Sequence, residues 1–146
     1  MASLHATAIL WGSKAVLIRG SSGAGKSQLA LSILEAANGR ATFAALISDD
    51  RVIVSCASGR LIAKAHPAIS DQIEDRGHAI ISVKSEPAGV IAAVVDLTNP
   101  ALIPRLPAPE DMIAIIEGVK LPRLMLAEGT PLAQAASKVI RFLRQL

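Results

Sequence analysis

Residues 20–27 read Gly20-Ser21-Ser22-Gly23-Ala24-Gly25-Lys26-Ser27, which is the pattern G-x-x-x-x-G-K-S. The apolar run 15–18 precedes them and the helix-like run 28–34 follows. This strand-to-helix setting is typical of a phosphate-binding loop. In such a loop, backbone N–H groups turn inward around an anion, Lys26 reaches the β- and γ-phosphates, and Ser27 offers its hydroxyl to Mg²⁺. We therefore predict that these eight residues bind a nucleoside triphosphate with Mg²⁺.

Length and composition indicate a single globular domain without a membrane segment. The chain has 146 residues, of which 51% are hydrophobic, yet it contains no apolar run long enough to cross a bilayer. Its net charge is +3, but only 2% of its residues are aromatic, so stacking on nucleic-acid bases is not expected. The single cysteine, Cys56, and a start without a secretory pattern predict a cytoplasmic protein.

The pattern of apolar runs and turns predicts many strands and few helices. Strands are expected at 4–10, 15–19, 43–48, 51–56, 61–64, 79–83 and 89–97, and helices at 26–37 and 131–143. Because hairpins outnumber strand–helix–strand units, we expect an α/β fold with a mixed sheet and few helices around the phosphate-binding loop.

Four local features give further expectations. Residues 69–75 have no clear period, so they suggest a short helix or irregular chain. Pro122 has no backbone N–H to give to a ladder, which predicts an edge strand at 120–126. Residues 112–116 fit a strand or a short helix. Thr130 is the expected N-cap of the last helix, with Pro131 as its first residue.

Two adjacent carboxylates supply the chemistry that nucleotide binding alone does not. Asp49 and Asp50 follow the apolar run 44–47, where an acidic residue at a strand end can meet the metal of the loop. Neighbouring residues on an extended chain point in opposite directions. We therefore expect one aspartate to face the metal side and the other to approach the phosphoryl acceptor. The alternative is a solvated turn before the next strand.

The ordered set of motifs resembles one known family. In chain order the motifs are Leu4-His5-Ala6, the loop 20–27, Ile47-Ser48-Asp49-Asp50-Arg51-Val52, Ile73-Glu74-Asp75-Arg76-Gly77 and Pro104-Arg105-Leu106. Together they resemble the catalytic domain of HPr kinase/phosphorylase, a bacterial serine kinase family with a loop of the phosphoenolpyruvate-carboxykinase type. The resemblance extends over residues 4–125 and implies a P-loop kinase domain like that of phosphoenolpyruvate carboxykinase.

The resemblance also implies catalytic roles for four residues. Lys26 would hold the phosphates, and Asp50 would take the proton from the acceptor serine hydroxyl. His5 would assist that proton transfer, and Arg105 would stabilise charge on the transferring phosphoryl group.

The same resemblance implies a Mg²⁺ site made by Ser27 and Glu74, with Asp49 in a supporting role near the metal. The chain departs from the family pattern in two places. His78-Ala79-Ile80 follows Arg76-Gly77 where the family has Leu-Gly-Ile, and residues 124–130 replace a stretch linked to removal of the phosphate. Phosphorylase activity is therefore doubtful.

These inferences predict one kinase-like domain over residues 1–146, without a separate N-terminal regulatory domain. The predicted reaction is transfer of the γ-phosphoryl group of ATP, with Mg²⁺, to a serine of an HPr-like phosphocarrier protein. That carrier would belong to the phosphotransferase system, so the kinase would regulate carbohydrate metabolism. Two alternatives stay open: a nucleotide-binding regulatory module without transfer, and a small-molecule kinase. Neither nucleic acid nor a membrane is an expected partner, and homo-oligomerisation is left open.

Overall fold

A computed structural model describes residues 1–67, 72–75 and 79–146, with the backbone alone at 72, 74, 75 and 79–82. The strands within these residues are β1 (Ala2–Leu4), β2 (Ala6–Trp11), β3 (Lys14–Arg19), β4 (Ala44–Ser48), β5 (Val52–Ala57), β6 (Arg60–Ala65), β7 (Gln72–Asp75), β8 (Ala79–Ser82), β9 (Ala88–Thr98), β10 (Ile113–Ile116) and β11 (Val119–Ala127). The α-helices in the same part of the chain are α1 (Lys26–Asn38) and α2 (Leu132–Arg144). Two short 3-10 helices, Pro100–Leu102 and Pro109–Met112, lie between β9 and β10.

Among the described residues, nine strands form one mixed sheet, as the sequence predicts. Its main path runs β1-β5-β6-β9-β3-β2-β4, and β10 and β11 extend it from β9. The central strand β9 is parallel to β3 and to β11, whereas the other neighbours in this sheet are antiparallel. β7 and β8 pair separately as a hairpin. The sheet therefore combines hairpins with parallel neighbours at its centre.

The phosphate-binding loop joins the parallel centre of the sheet to the first helix. β3 ends at Arg19, beside Asp96 of β9, and the loop then leads into α1. Gly23 and Gly25 have φ angles of 81° and 102°, in the region that glycine adopts without steric cost. Gly25 is also the N-cap of α1. The glycines are needed because the chain reverses sharply before the helix starts.

Side chains alternate between the two faces of the sheet. On β3, Val16 and Ile18 pack with the residues of α1 and α2, whereas Ala15 and Leu17 belong to a second cluster with β5, β6 and β10. This period of two is what a strand buried on both faces requires. The core therefore fixes β3, and with it the start of the loop, from both sides.

Three local predictions are wrong or need revision. Of the segment 69–75, for which a short helix or irregular chain is expected, residues 72–75 form the strand β7, and residues 69–71 lie outside the described residues. The strand that contains Pro122 is not an edge strand, because β11 pairs with β10 through 119–122 and with β9 through 123–127. Pro122 lies where β11 changes partner, so its missing N–H is tolerated there.

The start of the last helix also differs from the prediction. Pro131 is the N-cap of α2, and the Thr130 hydroxyl donates to the Ala127 carbonyl at 2.6 Å. The undecided residues 113–116 form β10, after the short helix Pro109–Met112. Within the part of the chain that the structure describes, no helix is long and apolar enough to cross a membrane.

Candidate active site

A cavity of about 330 Å³ lies at the N-terminus of α1. The residues that line it come from the loop, the first turn of the helix and the end of β4: Ser22, Gly23, Gly25, Lys26, Ser27, Gln28, Asp49 and Asp50. Its volume falls within the range of small-molecule sites. The first N–H groups of an α-helix lack partners within the helix and favour an anion. The loop residues therefore fit a phosphate group.

Lys26 is buried, with 5% of its surface exposed, and its ammonium group has three close partners. Nζ donates to the carbonyl oxygens of Gly20 at 3.0 Å and Ser21 at 3.1 Å, and it lies 3.3 Å from Nε2 of His5. An ammonium group has three hydrogens and no acceptor. His5 must therefore accept at Nε2, which leaves the ring proton of a neutral His5 on Nδ1.

His5 links Lys26 to Asp50. Its Nδ1 atom lies 3.5 Å from Oδ1 of Asp50. The two side chains are about half exposed, so this contact faces the opening of the cavity rather than the core. A proton on Nδ1 would therefore lie near the carboxylate, at ion-pair distance. The structure thus brings together three of the four residues to which the sequence assigns catalysis.

Asp49 and Asp50 form a turn, which corrects the expectation of extended chain. Asp50 has φ = 65°, in the left-handed region that aspartate tolerates better than most residues. Both aspartates line the same cavity. The turn is stabilised by the Arg51 N–H, which donates to the Asp49 carbonyl at 2.7 Å, and by the Ser48 hydroxyl, which donates to the Arg51 carbonyl.

The buried carboxylate of Asp49 receives two hydroxyl groups. Ser27 Oγ donates to Asp49 Oδ1 at 2.7 Å, and Thr7 Oγ1 donates to the same oxygen at 2.8 Å. A serine hydroxyl beside one carboxylate, at the edge of a phosphate site, suits Mg²⁺, which takes few protein ligands and completes its shell with water and phosphate oxygens. Ser27 and Asp49 therefore fit the metal site that the sequence assigns to them.

The structure does not join Arg105 to this cluster, and the side chain of Glu74 cannot be placed against it. Arg105 is exposed, and within residues 1–67, 72–75 and 79–146 no hydrogen bond or ion pair joins it to another residue. Glu74 lies on β7 opposite Ile80, but its side chain is outside the described part of the structure. The roles of both residues stay predictions.

Sequence reasoning missed Thr7 and Gln28. Thr7 is fully buried on β2, two residues after His5, which lies in the bend between β1 and β2. The available signal was a hydroxyl amid the apolar run 6–10, because a buried hydroxyl needs a polar partner. Gln28 lines the cavity from the first turn of α1, and nothing in its local sequence marks it.

Sequence reasoning also missed an ion-pair cluster beside the loop. Arg19 donates to Asp96 Oδ1 at 2.7 Å and to Oδ2 at 2.8 Å, and Arg123 donates to Oδ2 at 2.5 Å. Burial raises the pKa of Asp96, but the hydrogen bonds and charges of Arg19 and Arg123 outweigh it, so its pKa lies below the ordinary value. The hydrogen bond to Asp96 likewise raises the pKa of Arg19. The cluster joins the three parallel strands β3, β9 and β11 next to Gly20.

Comparison with known proteins places this geometry in a family. The family model for the HPr serine kinase C-terminal domain matches residues 2–121, which is most of the chain. The chain belongs to this family. Its HPr kinase/phosphorylase relative from Mycoplasma mycoides subsp. mycoides SC is 37% identical over 68 residues, which cover 47% of the chain and 20% of the relative. The chain therefore matches about a fifth of that protein's length.

A solved structure shows the same fold for this HPr serine kinase domain. The Hpr(Ser) kinase/phosphatase from Coxiella burnetii superposes with a TM-score of 0.78, covering 99% of this chain and 98% of the other. The sequences are 20% identical, so this likeness concerns the fold. The predicted P-loop kinase fold with a mixed sheet and few helices is thereby confirmed.

Proposed function

We propose that this domain transfers the γ-phosphoryl group of ATP, with Mg²⁺, to a serine of an HPr-like phosphocarrier protein. One observation carries the proposal: Asp49 and Asp50 line the same cavity as the phosphate-binding loop, and Asp50 lies against His5. A domain that only held a nucleotide would not need a second, half-exposed carboxylate at the open side of the site. Membership of the HPr serine kinase family supports serine as the acceptor.

The loop and Lys26 would bind the triphosphate. The three hydrogens of Lys26 are now directed at Gly20, Ser21 and His5, and phosphate oxygens would take over these contacts. Ser27, Asp49 and Glu74 would hold the metal. When bound, Mg²⁺ would offset the charge that develops on the phosphates during transfer.

Asp50 would act as the general base. The acceptor serine oxygen forms a bond to the γ-phosphorus as the bond from that phosphorus to the bridging oxygen of ADP breaks, and Asp50 receives the serine proton. His5, whose Nδ1 lies 3.5 Å from Asp50 Oδ1, would assist this proton transfer. Arg105 would approach the transferring group from the exposed segment. General-base catalysis of this kind contributes roughly 10²–10⁴-fold to the rate.

The test follows the label from γ-labelled ATP. The protein is incubated with labelled ATP, Mg²⁺ and candidate HPr-like proteins, and the label is located by phosphoamino-acid analysis. We expect phosphoserine on the carrier, and none on a carrier whose acceptor serine is replaced by alanine. Nucleotide binding without transfer would contradict the proposal and favour a regulatory module. Label in a small metabolite would contradict it and favour a small-molecule kinase.

The cellular role follows from the proposed acceptor. A kinase for a phosphocarrier of the phosphotransferase system would act in the cytoplasm, where that carrier works. It would regulate carbohydrate metabolism by phosphorylating a serine of the carrier. The reverse phosphorylase reaction is not part of the proposal.

A further inference from the structure

Thr7 is a fully buried hydroxyl that contacts both aspartates of the site. Its Oγ1 donates to Asp49 Oδ1 at 2.8 Å and accepts the backbone N–H of Asp50 at 3.2 Å. A threonine hydroxyl has one hydrogen to give and can accept from a second group. Through its hydroxyl, Thr7 connects β2 to the Asp49 side chain and to the main-chain amide of Asp50.

The turn needs such support because of its backbone conformation. Asp50 lies in the left-handed region, which an L-residue with a side chain occupies only when its surroundings hold it there. At one side of the turn, the Ser48 hydroxyl donates to the Arg51 carbonyl and accepts the His66 N–H at 3.1 Å. At the other side, the Thr7 hydroxyl accepts the Asp50 backbone N–H.

Thr7 also shares an acceptor with the phosphate-binding loop. Ser27 Oγ and Thr7 Oγ1 both donate to Oδ1 of Asp49, at 2.7 and 2.8 Å. Two donors on one oxygen of a residue that is 5% exposed fix the rotation of the carboxylate. Thr7 therefore sets the position of Asp49 relative to Ser27 and that of Asp50 relative to His5, which lies two residues earlier on the same chain segment.

We propose that Thr7 is a positioning residue of the phosphoryl-transfer site, which holds the Asp49 carboxylate toward the metal position and the Asp50 backbone in its left-handed turn. This inference rests on the proposed function, because the roles of the two aspartates come from it. Thr7 is not among the residues that line the cavity. Its effect reaches the reaction only through the two aspartates.

The test compares Thr7→Val, which keeps the shape and removes the hydroxyl, with Thr7→Ser, which keeps the hydroxyl and removes a methyl group. Loss of an outer partner of a ligating carboxylate costs roughly 10–100-fold in activity or metal affinity. We expect Thr7→Val to lower kcat by that factor with KM for ATP unchanged, because the loop itself is untouched. Thr7→Ser should keep most of the native rate.

A second readout does not depend on activity. Amide hydrogen exchange followed by NMR should show the Asp50 N–H protected in the native protein and in Thr7→Ser, and exposed in Thr7→Val. If Thr7→Val does not fold, Thr7→Ala replaces it, since it also lacks the hydroxyl.

The outcomes separate this inference from the proposed function. Equal exchange at Asp50 in all variants overturns the positioning role, and so does an equal fall in kcat for Thr7→Ser and Thr7→Val. If the native protein transfers no phosphoryl group, the proposed function fails, while the exchange data still decide whether Thr7 holds the turn.

Discussion

Replacing Asp96 by asparagine should destabilise the domain more than replacing an exposed carboxylate by its amide. Asp96 is 7% exposed on the central strand β9, and it binds two guanidinium groups. Asparagine has nearly the same shape but no charge, and one end of its amide is a donor that faces other donors. The variant therefore leaves Arg19 and Arg123 beside each other without a counter-charge.

The magnitude follows from how far water reaches the cluster. Breaking a buried ion pair by removing one partner costs about 3–5 kcal/mol. The Arg19 and Arg123 side chains keep 34% and 27% of their surface exposed, so water partly replaces the lost carboxylate. We therefore expect the lower end, about 3 kcal/mol, which for a chain of this length corresponds to a fall in Tm of roughly 6–12 °C.

Urea unfolding followed by circular dichroism at pH 7 measures this difference. The matched control is Glu35→Gln, which makes the same charge change at an exposed position of α1 and should lie within about 0.5 kcal/mol of the native protein. An Asp96→Asn variant as stable as that control would refute the view that the cluster holds the strands together beside the loop.

Two further predictions concern the pH dependence of stability and the packing around Gly89. Because the pKa of Asp96 is lowered in the folded state, the stabilisation that its carboxylate gives is complete above the ordinary aspartate value of about 3.9 and is lost as pH falls through the folded pKa. Urea unfolding of the native protein at pH values from 7 to 2 should show this loss. A native curve parallel to that of Asp96→Asn would contradict it. Gly89→Ala should cost about 1–3 kcal/mol, because its Cβ would lie 2.8 Å from Leu10 Cδ2 and 3.1 Å from Ala15 Cβ. The control Gly39→Ala, which meets no atom closer than 3.8 Å, should unfold in urea like the native protein, and equal stability of both variants would contradict the packing argument.

The sequence was sufficient for the parts of the fold that depend on local pattern. The glycines of the loop, the apolar run 15–18 and the hairpin turns each determine their own conformation, so the strand, loop and helix of the phosphate site could be placed. The prediction of an edge strand at 120–126 was wrong. Pro122 lacks a backbone N–H in any strand, so this residue alone does not distinguish an edge strand from a strand that changes partner. Only the tertiary structure shows that β11 changes partner at that residue.

The candidate site was predictable in its residue types but not in its geometry. The pair Asp49-Asp50 stands out after an apolar run, yet its left-handed turn is held by Thr7, which lies 42 residues before Asp49 in the chain. The Arg19–Asp96–Arg123 cluster depends on the register of β3 and β11 against β9, which no local pattern encodes. Contacts between distant segments were therefore the missing information.

The most direct test of the account is the Asp50→Asn variant, measured for phosphoryl transfer to an HPr-like carrier and for nucleotide binding on the same preparation. Asparagine tolerates the left-handed backbone at this position, so the turn is kept and only the proton acceptor is lost. We predict that transfer falls by roughly 10²–10⁴-fold while nucleotide affinity stays that of the native protein. Transfer at the native rate by Asp50→Asn would contradict the central claim that this carboxylate is the general base.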